Sequence, residues 1–170
     1  MKNPLKIVAV IGIALGGILG MAGTMVAAQN VRAVCWALDG AALVVAASIL
    51  ALFFFRKSCD SVAAGFLVYA IGEAVMLGGT AGSLETSVPS FAAGTALWSA
   101  GLLLISVPKV FVIWTRLAGL IAALLFGIVS ARIFWGEQLL PISRPLPYFA
   151  YPFLVLTFIG WIWTVLKKID

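Results

Sequence analysis

The chain has 170 residues, 64% of them hydrophobic and only 10% charged, with a mean hydropathy of +1.17 and a formal net charge of +5. Soluble domains carry about a quarter charged residues, so this composition belongs in lipid, with length for about six spans and none left over for a soluble domain. Histidine is absent, which excludes His-ligated haem, His-containing zinc or copper centres and the usual general base.

Lys2 and Lys6 precede a first apolar run from Ile7 to Ala28. It is longer than the h-region of a signal peptide and is read as a retained first span. Gly12, Gly16 and Gly20 recur every fourth residue, which puts three missing side chains on one face where a neighbouring backbone can approach. A buried seam inside the bundle and a contact between subunits are both compatible with that spacing.

Gln29 to Ala33 is expected to turn, leading into a second span over 34–55 that ends at Arg56-Lys57. Asp39 falls about one and a half turns inside it, on the same side as Trp36, at a depth that headgroup water reaches. Cys35 and Cys59 sit at opposite ends of this run. If it is one helix they are roughly 36 Å apart along the axis, far too distant for a disulfide, and they are read as small hydrophobes.

The third span, 61–82, carries Glu73 near its middle. Phe66, Tyr69, Glu73, Met76 and Thr80 fall at helical spacing and form one stripe. An ionisable group at that depth is expensive unless protein or water surrounds it. The fourth span, 90–107, places Thr95, Ser99 and Ser106 on one face; such hydroxyls bond back to their own helix or reach across to Glu73. The fifth, 110–134, has a second small-residue seam at Gly119, Ala123, Gly127 and Ala131, with Arg116 snorkelling at its start and Arg132 at its end. The connection 135–148 bears Glu137, Arg144 and three prolines, and is either a functional loop or a stiff connector in the headgroup region. A sixth span, 149–166, ends in Lys167-Lys168, with Trp161 and Trp163 as belt aromatics.

These elements predict an all-α, polytopic transmembrane bundle of six spans forming one domain. Eight basic residues (Lys2, Lys6, Arg56, Lys57, Lys109, Arg116, Lys167 and Lys168) fall on one side and three (Arg32, Arg132 and Arg144) on the other. The excess of Lys and Arg marks the cytoplasmic side, so both termini are expected there, in a bacterial inner membrane. A weak match between the second and fourth spans at an offset of 59 residues rests mostly on Ala, Gly and Leu, as chance matches in apolar sequence do.

Two functions of different class follow. In the first the protein is a transporter or channel for a small solute or ion, with Glu73, Tyr69, Thr95, Ser99, Asp39, Arg132 and Glu137 as candidates for its polar path. A carboxyl group alone in hydrocarbon is neutral, whereas Arg132 within reach would hold Glu73 charged, so the two arrangements make different machines. In the second the protein is a partner subunit or assembly factor, whose seams (Gly12, Gly16, Gly20, Gly119 and Gly127) dock on a larger membrane complex. Either accommodates a homo-oligomer. No cofactor, metal site or nucleic-acid partner is expected, the lipid bilayer being the one certain neighbour. No nucleophile context, phosphate loop or acidic metal cluster points to catalysis, which leaves an embedded lipid-modifying enzyme as the residual enzymatic alternative.

The basic asymmetry gives the first prediction. A reactive cysteine placed in Leu84–Ser87 or Leu139–Ser143 will be labelled by an impermeant reagent from outside, and one after Asp170 from the cytoplasm only. Labelling of the Leu139–Ser143 site only after permeabilisation reverses the orientation.

Overall fold

A computed structural model describes residues 3–80 and 82–168, with no side-chain detail for Asn3 and Lys168. Lys2, Ala81 from the third predicted span, and the C-terminal labelling site at Asp170 lie outside the described residues. Six helices occupy the chain: α1 (Asn3–Met25), α2 (Gln29–Arg56), α3 (Asp60–Gly79), α4 (Val88–Ser106), α5 (Ile113–Phe134) and α6 (Tyr151–Lys168), the last preceded by a 3-10 turn at Tyr148–Ala150. All six are long and apolar enough to cross a membrane, and no strand occurs among the described residues. The protein is an integral, multi-pass helix bundle.

Most boundaries shift by one to five residues, and two of the shifts bear on the site. The helix α2 begins at Gln29, because the turn occupies only 26–28, so the five residues expected to turn are helical. Asp39 then lies ten residues into the helix, about 15 Å along it, deeper than the expected one and a half turns. At the other end of the site, α3 stops at Gly79 rather than running through Gly82, and Thr80 closes it by donating from its hydroxyl to the Leu77 carbonyl at 2.8 Å.

Each helix packs against the next in sequence, and α6 returns to α1, so the six form a closed ring. Short connections between consecutive helices make neighbours antiparallel. One end of the ring carries the turn at 26–28, the loop 80–87 and the long connection 135–147; it is called here the long-loop end. The opposite end carries the basic residues at 56–57, 109 and 116. There Arg116 donates to the carbonyls of Ser106 and Val107 at 2.9 and 2.8 Å, satisfying acceptors that the end of α4 leaves open.

Glycines set the spacing of the ring. The seam on α1 faces α2: a Cβ at Gly12 would lie 2.8 Å from the Ala42 oxygen, one at Gly16 would collide with Leu43, and one at Gly20 would lie 2.9 Å from Asp39 Oδ2. On α5, Gly119 and Gly127 face Ser106 and Ser99 of α4. Both seams are therefore spent inside the bundle. A third pairing, unnoticed in the sequence, joins α3 to α4: a Cβ at Gly65 would come within 2.8 Å of the Gly101 oxygen and the reverse, and Gly72 and Gly94 are related likewise at 3.0 Å. Two glycines seven residues apart on each antiparallel helix let backbone meet backbone.

A ring of six leaves a central space, and aromatic side chains fill most of it. Phe66 stacks on Phe54 at 5.6 Å and meets Trp161 edge-on at 4.8 Å; Tyr69 stacks on Trp98 at 5.6 Å, and Trp98 meets Phe126 edge-on at 5.0 Å. This block ties together five helices, each pair contributing about 0.5–1.5 kcal/mol beyond its buried area.

The seam geometry gives a paired prediction. Gly16→Leu drives a side chain into Leu43 and costs about 1–3 kcal/mol or more, whereas Gly78→Leu, where a Cβ would meet nothing within 4 Å, leaves stability near wild type. Thermal melts of both variants in mild detergent check this; equal melting temperatures would mean that α1 does not press on α2.

Candidate functional site

The central space is not filled at the long-loop end. A cavity of about 110 Å³, measured over positions open to the centre of a water-sized sphere, lies between α1, α2, α3, α4 and α6. About one sphere volume holds a water, so there is room for several waters or a small organic group. Gln29 and Gly82, both exposed, border its mouth, and Pro141 of the long connection lies along its rim. Its walls are mostly apolar: Leu43, Met76, Leu77, Phe91, Leu154, Val155 and Phe158. The aromatic block forms its floor.

Two carboxyl groups enter this cavity from adjacent helices. Glu73, 3% exposed, comes from α3 and Asp39 from α2. Glycine makes space for each. Asp39 occupies the volume left by Gly20, and Glu73 Oε2 lies 3.8 Å from where a Gly40 Cβ would stand. Behind Glu73, one turn along α3, the fully buried Tyr69 donates its hydroxyl to Glu73 Oε1 at 3.0 Å. Asp39 Oδ1 is buried and accepts no hydrogen bond. Among the described residues no Lys or Arg forms an ion pair with either acid.

The remaining expected path residues lie elsewhere. The Thr95 hydroxyl donates into its own helix, to Phe91 O at 2.8 Å and Ala92 O at 3.1 Å, and Ser99 donates across to Ala123 O of α5 at 2.7 Å. Of the two bonding modes open to these hydroxyls, neither takes the one that reaches Glu73. Arg132 is engaged with Glu137 through two bonds of 2.9 and 2.6 Å, both side chains being 40% or more exposed. That bond holds the Glu137 carboxyl below its ordinary range, and Arg132 is not the partner of Glu73.

The cavity also holds residues the sequence reading did not single out as site members. Arg32 sits near the mouth, donating to the Val26 carbonyl at 2.7 Å and lying over the Trp36 ring at 5.9 Å, with its buried Nε unpartnered. Trp36 in turn donates to Gly20 O at 3.3 Å and pins α1 to α2. Trp98, 7% exposed, borders the cavity with an Nε1 that has no acceptor, and Tyr151 reaches the rim, donating to Pro141 O at 2.9 Å. Heptad glycines on α3 and α4 were the available signal for Trp98, since they fix which face of α4 turns inward.

No protein family, curated protein or solved structure matches this chain. The site is therefore read from its own chemistry.

The Tyr69–Glu73 bond predicts an asymmetry between two conservative changes. Tyr69→Phe removes the only donor to the Glu73 carboxyl group among the described residues and will cost about 1–3 kcal/mol. Glu73→Gln keeps an acceptor for Tyr69 and will cost less. Chemical or thermal unfolding in detergent measures both, and a larger loss for Glu73→Gln would mean that the bond is not what satisfies the acid.

Proposed function

We propose that the protein transports a small solute or ion, and that the cavity holding Asp39 and Glu73 is its binding site, loaded from the long-loop end. The observation that carries this reading is the pair of carboxyl groups lining one cavity inside the bundle, neither of them ion-paired with a Lys or Arg among the described residues. A buried acid kept only to clasp the bundle would be enclosed by donors, whereas Asp39 Oδ1 has none. Ionisable groups at membrane depth that face a cavity mark solute or proton pathways.

The orientation expected from the basic residues puts both termini in the cytoplasm of a bacterial inner membrane, with the cavity opening outward. Each of the three arginines at the long-loop end has a local partner: Arg32 the Val26 carbonyl, Arg132 the Glu137 carboxylate and Arg144 the face of Tyr148 at 4.2 Å. Such anchored arginines are compatible with an outer face. The alternative, a docking subunit of a larger complex, drew its support from glycine seams, and those on α1 and α5 are occupied by α2 and α4. Catalysis has no specific observation in its favour.

The test is uptake of labelled rubidium, an amine, an amino acid and a sugar into liposomes containing the purified protein. At least one will enter faster than into protein-free liposomes, and Glu73→Gln and Asp39→Asn will each reduce that rate at least tenfold while retaining the folded, monodisperse state. Rates equal to those of empty liposomes for every solute overturn the transport reading.

A further inference from the structure

The unspent polar atoms and the walls of the cavity together define what it accepts. Resting on the transport reading for its purpose but not for its geometry, we infer that the ligand is a small organic monocation with an apolar body and one oxygen acceptor, a hydroxylated amine in chemical class.

The charge follows from the acids. Asp39 and Glu73 come from adjacent helices into one space of about 110 Å³, and neither is paired with Lys or Arg among the described residues. The nearest cationic side chain on the wall, Arg32, stands seven residues before Asp39, two turns toward the mouth, and is held by the Val26 carbonyl. An anion entering the floor would meet two carboxyl groups; an ammonium would be drawn to both. Transfer into a site of low dielectric strengthens that pairing. Aromatic faces add to it, since Trp36, Trp98, Phe91 and Phe158 line the same space and rings attract cations within about 6 Å.

The remainder of the ligand follows from what the acids do not contact. Leu43, Met76, Leu77, Leu154 and Val155 offer no hydrogen bond, so a bare metal cation would forfeit hydration that these walls cannot replace, whereas an apolar body gains by burial. Trp98 is an independent observation. It is more than nine-tenths buried, it borders the cavity, and its Nε1 donor has no acceptor among the described residues. Buried donors are almost always satisfied, and a hydroxyl oxygen on the ligand would satisfy this one while its ammonium takes the acids.

Isothermal titration of the full-length protein in detergent distinguishes the classes. The probes share one body: phenylethanolamine is the cation, mandelate the anion, phenylethylene glycol the neutral diol and phenylserine the zwitterion. Phenylethanolamine will bind at least tenfold more tightly than each of the others, and Asp39→Asn and Glu73→Gln will each weaken it at least tenfold. Val155→Phe, on the opposite wall, will weaken it comparably by filling the space, which guards against a folding defect in the acid variants. Preferential binding of mandelate, the diol or phenylserine overturns the inference, as does phenylethanolamine binding that is unchanged in both acid variants, or no measurable binding by the folded wild type. Tight, acid-dependent binding without uptake of any solute removes the transport reading and leaves this inference standing. Uptake of rubidium or a sugar with no phenylethanolamine binding does the reverse.

Discussion

Tyr69 donates its hydroxyl to Glu73 from one helical turn away on α3, and the bond joins the two halves of the bundle's interior. On the Tyr69 side the ring stacks on Trp98 and meets Phe158 and Trp161 edge-on. On the Glu73 side the interior is open. A carboxyl group at this depth needs a donor or a cation, and Tyr69 supplies the donor from below, so the remaining oxygen can face the cavity. A phenol suits this position because its ring belongs to the aromatic block and its hydroxyl to the polar site. The boundary between floor and cavity therefore runs through one side chain.

That bond depends in turn on how closely α3 approaches α4. Gly65 and Gly72 face Gly101 and Gly94 with backbone against backbone, and this contact turns the face bearing Tyr69 and Glu73 toward the ring's centre and that of Trp98 toward Tyr69. In lipid there is no hydrophobic gain from pressing one apolar helix on another, so close packing between small residues has to supply the association. The same device on α1 serves chemistry at its last member. Gly12 and Gly16 admit Ala42, Ala46 and Leu43, but Gly20 admits a carboxyl group, and the seam that holds α1 to α2 thereby becomes one wall of the site.

Much of this was written in composition and spacing. Six apolar runs of bilayer length, the inward stripe of Phe66, Tyr69, Glu73 and Met76, and the glycine seams all follow from a 3.6-residue period, and the helices appear where that period puts them. Boundaries were harder to place. Gln29 to Ala33 is polar enough to suggest a turn, yet its residues are acceptable in a helix, and the chain reverses within 26–28 instead, which carries Asp39 deeper. The site itself was half visible: Glu73 and Asp39 are conspicuous as acids in apolar sequence, but which hydroxyls they meet depends on the rotation of each helix about its axis. Thr95 sits at a buried position and still bonds its own turn, because a hydroxyl in a helix finds a carbonyl three or four residues back more cheaply than one on another helix. Arg132 finds Glu137 five residues ahead for a similar reason, proximity in sequence.

The distribution of close contacts around the ring also determines where it can change shape. Sliding α3 along α4 would bring Cα and carbonyl atoms of the paired glycines into collision, and the α1–α2 seam resists in the same way at Gly12 and Gly16. Around α6 the two sides differ: toward α1 a Cβ at Gly17 would meet only Phe158, at 3.4 Å, whereas toward α5 the Thr115 side chain occupies the place a Gly160 Cβ would take. Yet α6 supplies Leu154, Val155 and Phe158 to the cavity and Trp161 to the floor beneath it. The looser side of α6 is thus the one facing α1, and any shift that opens the cavity wall there has to keep the Thr115–Gly160 contact with α5, while Asp39 and Glu73 stay on the closely packed helices α2 and α3.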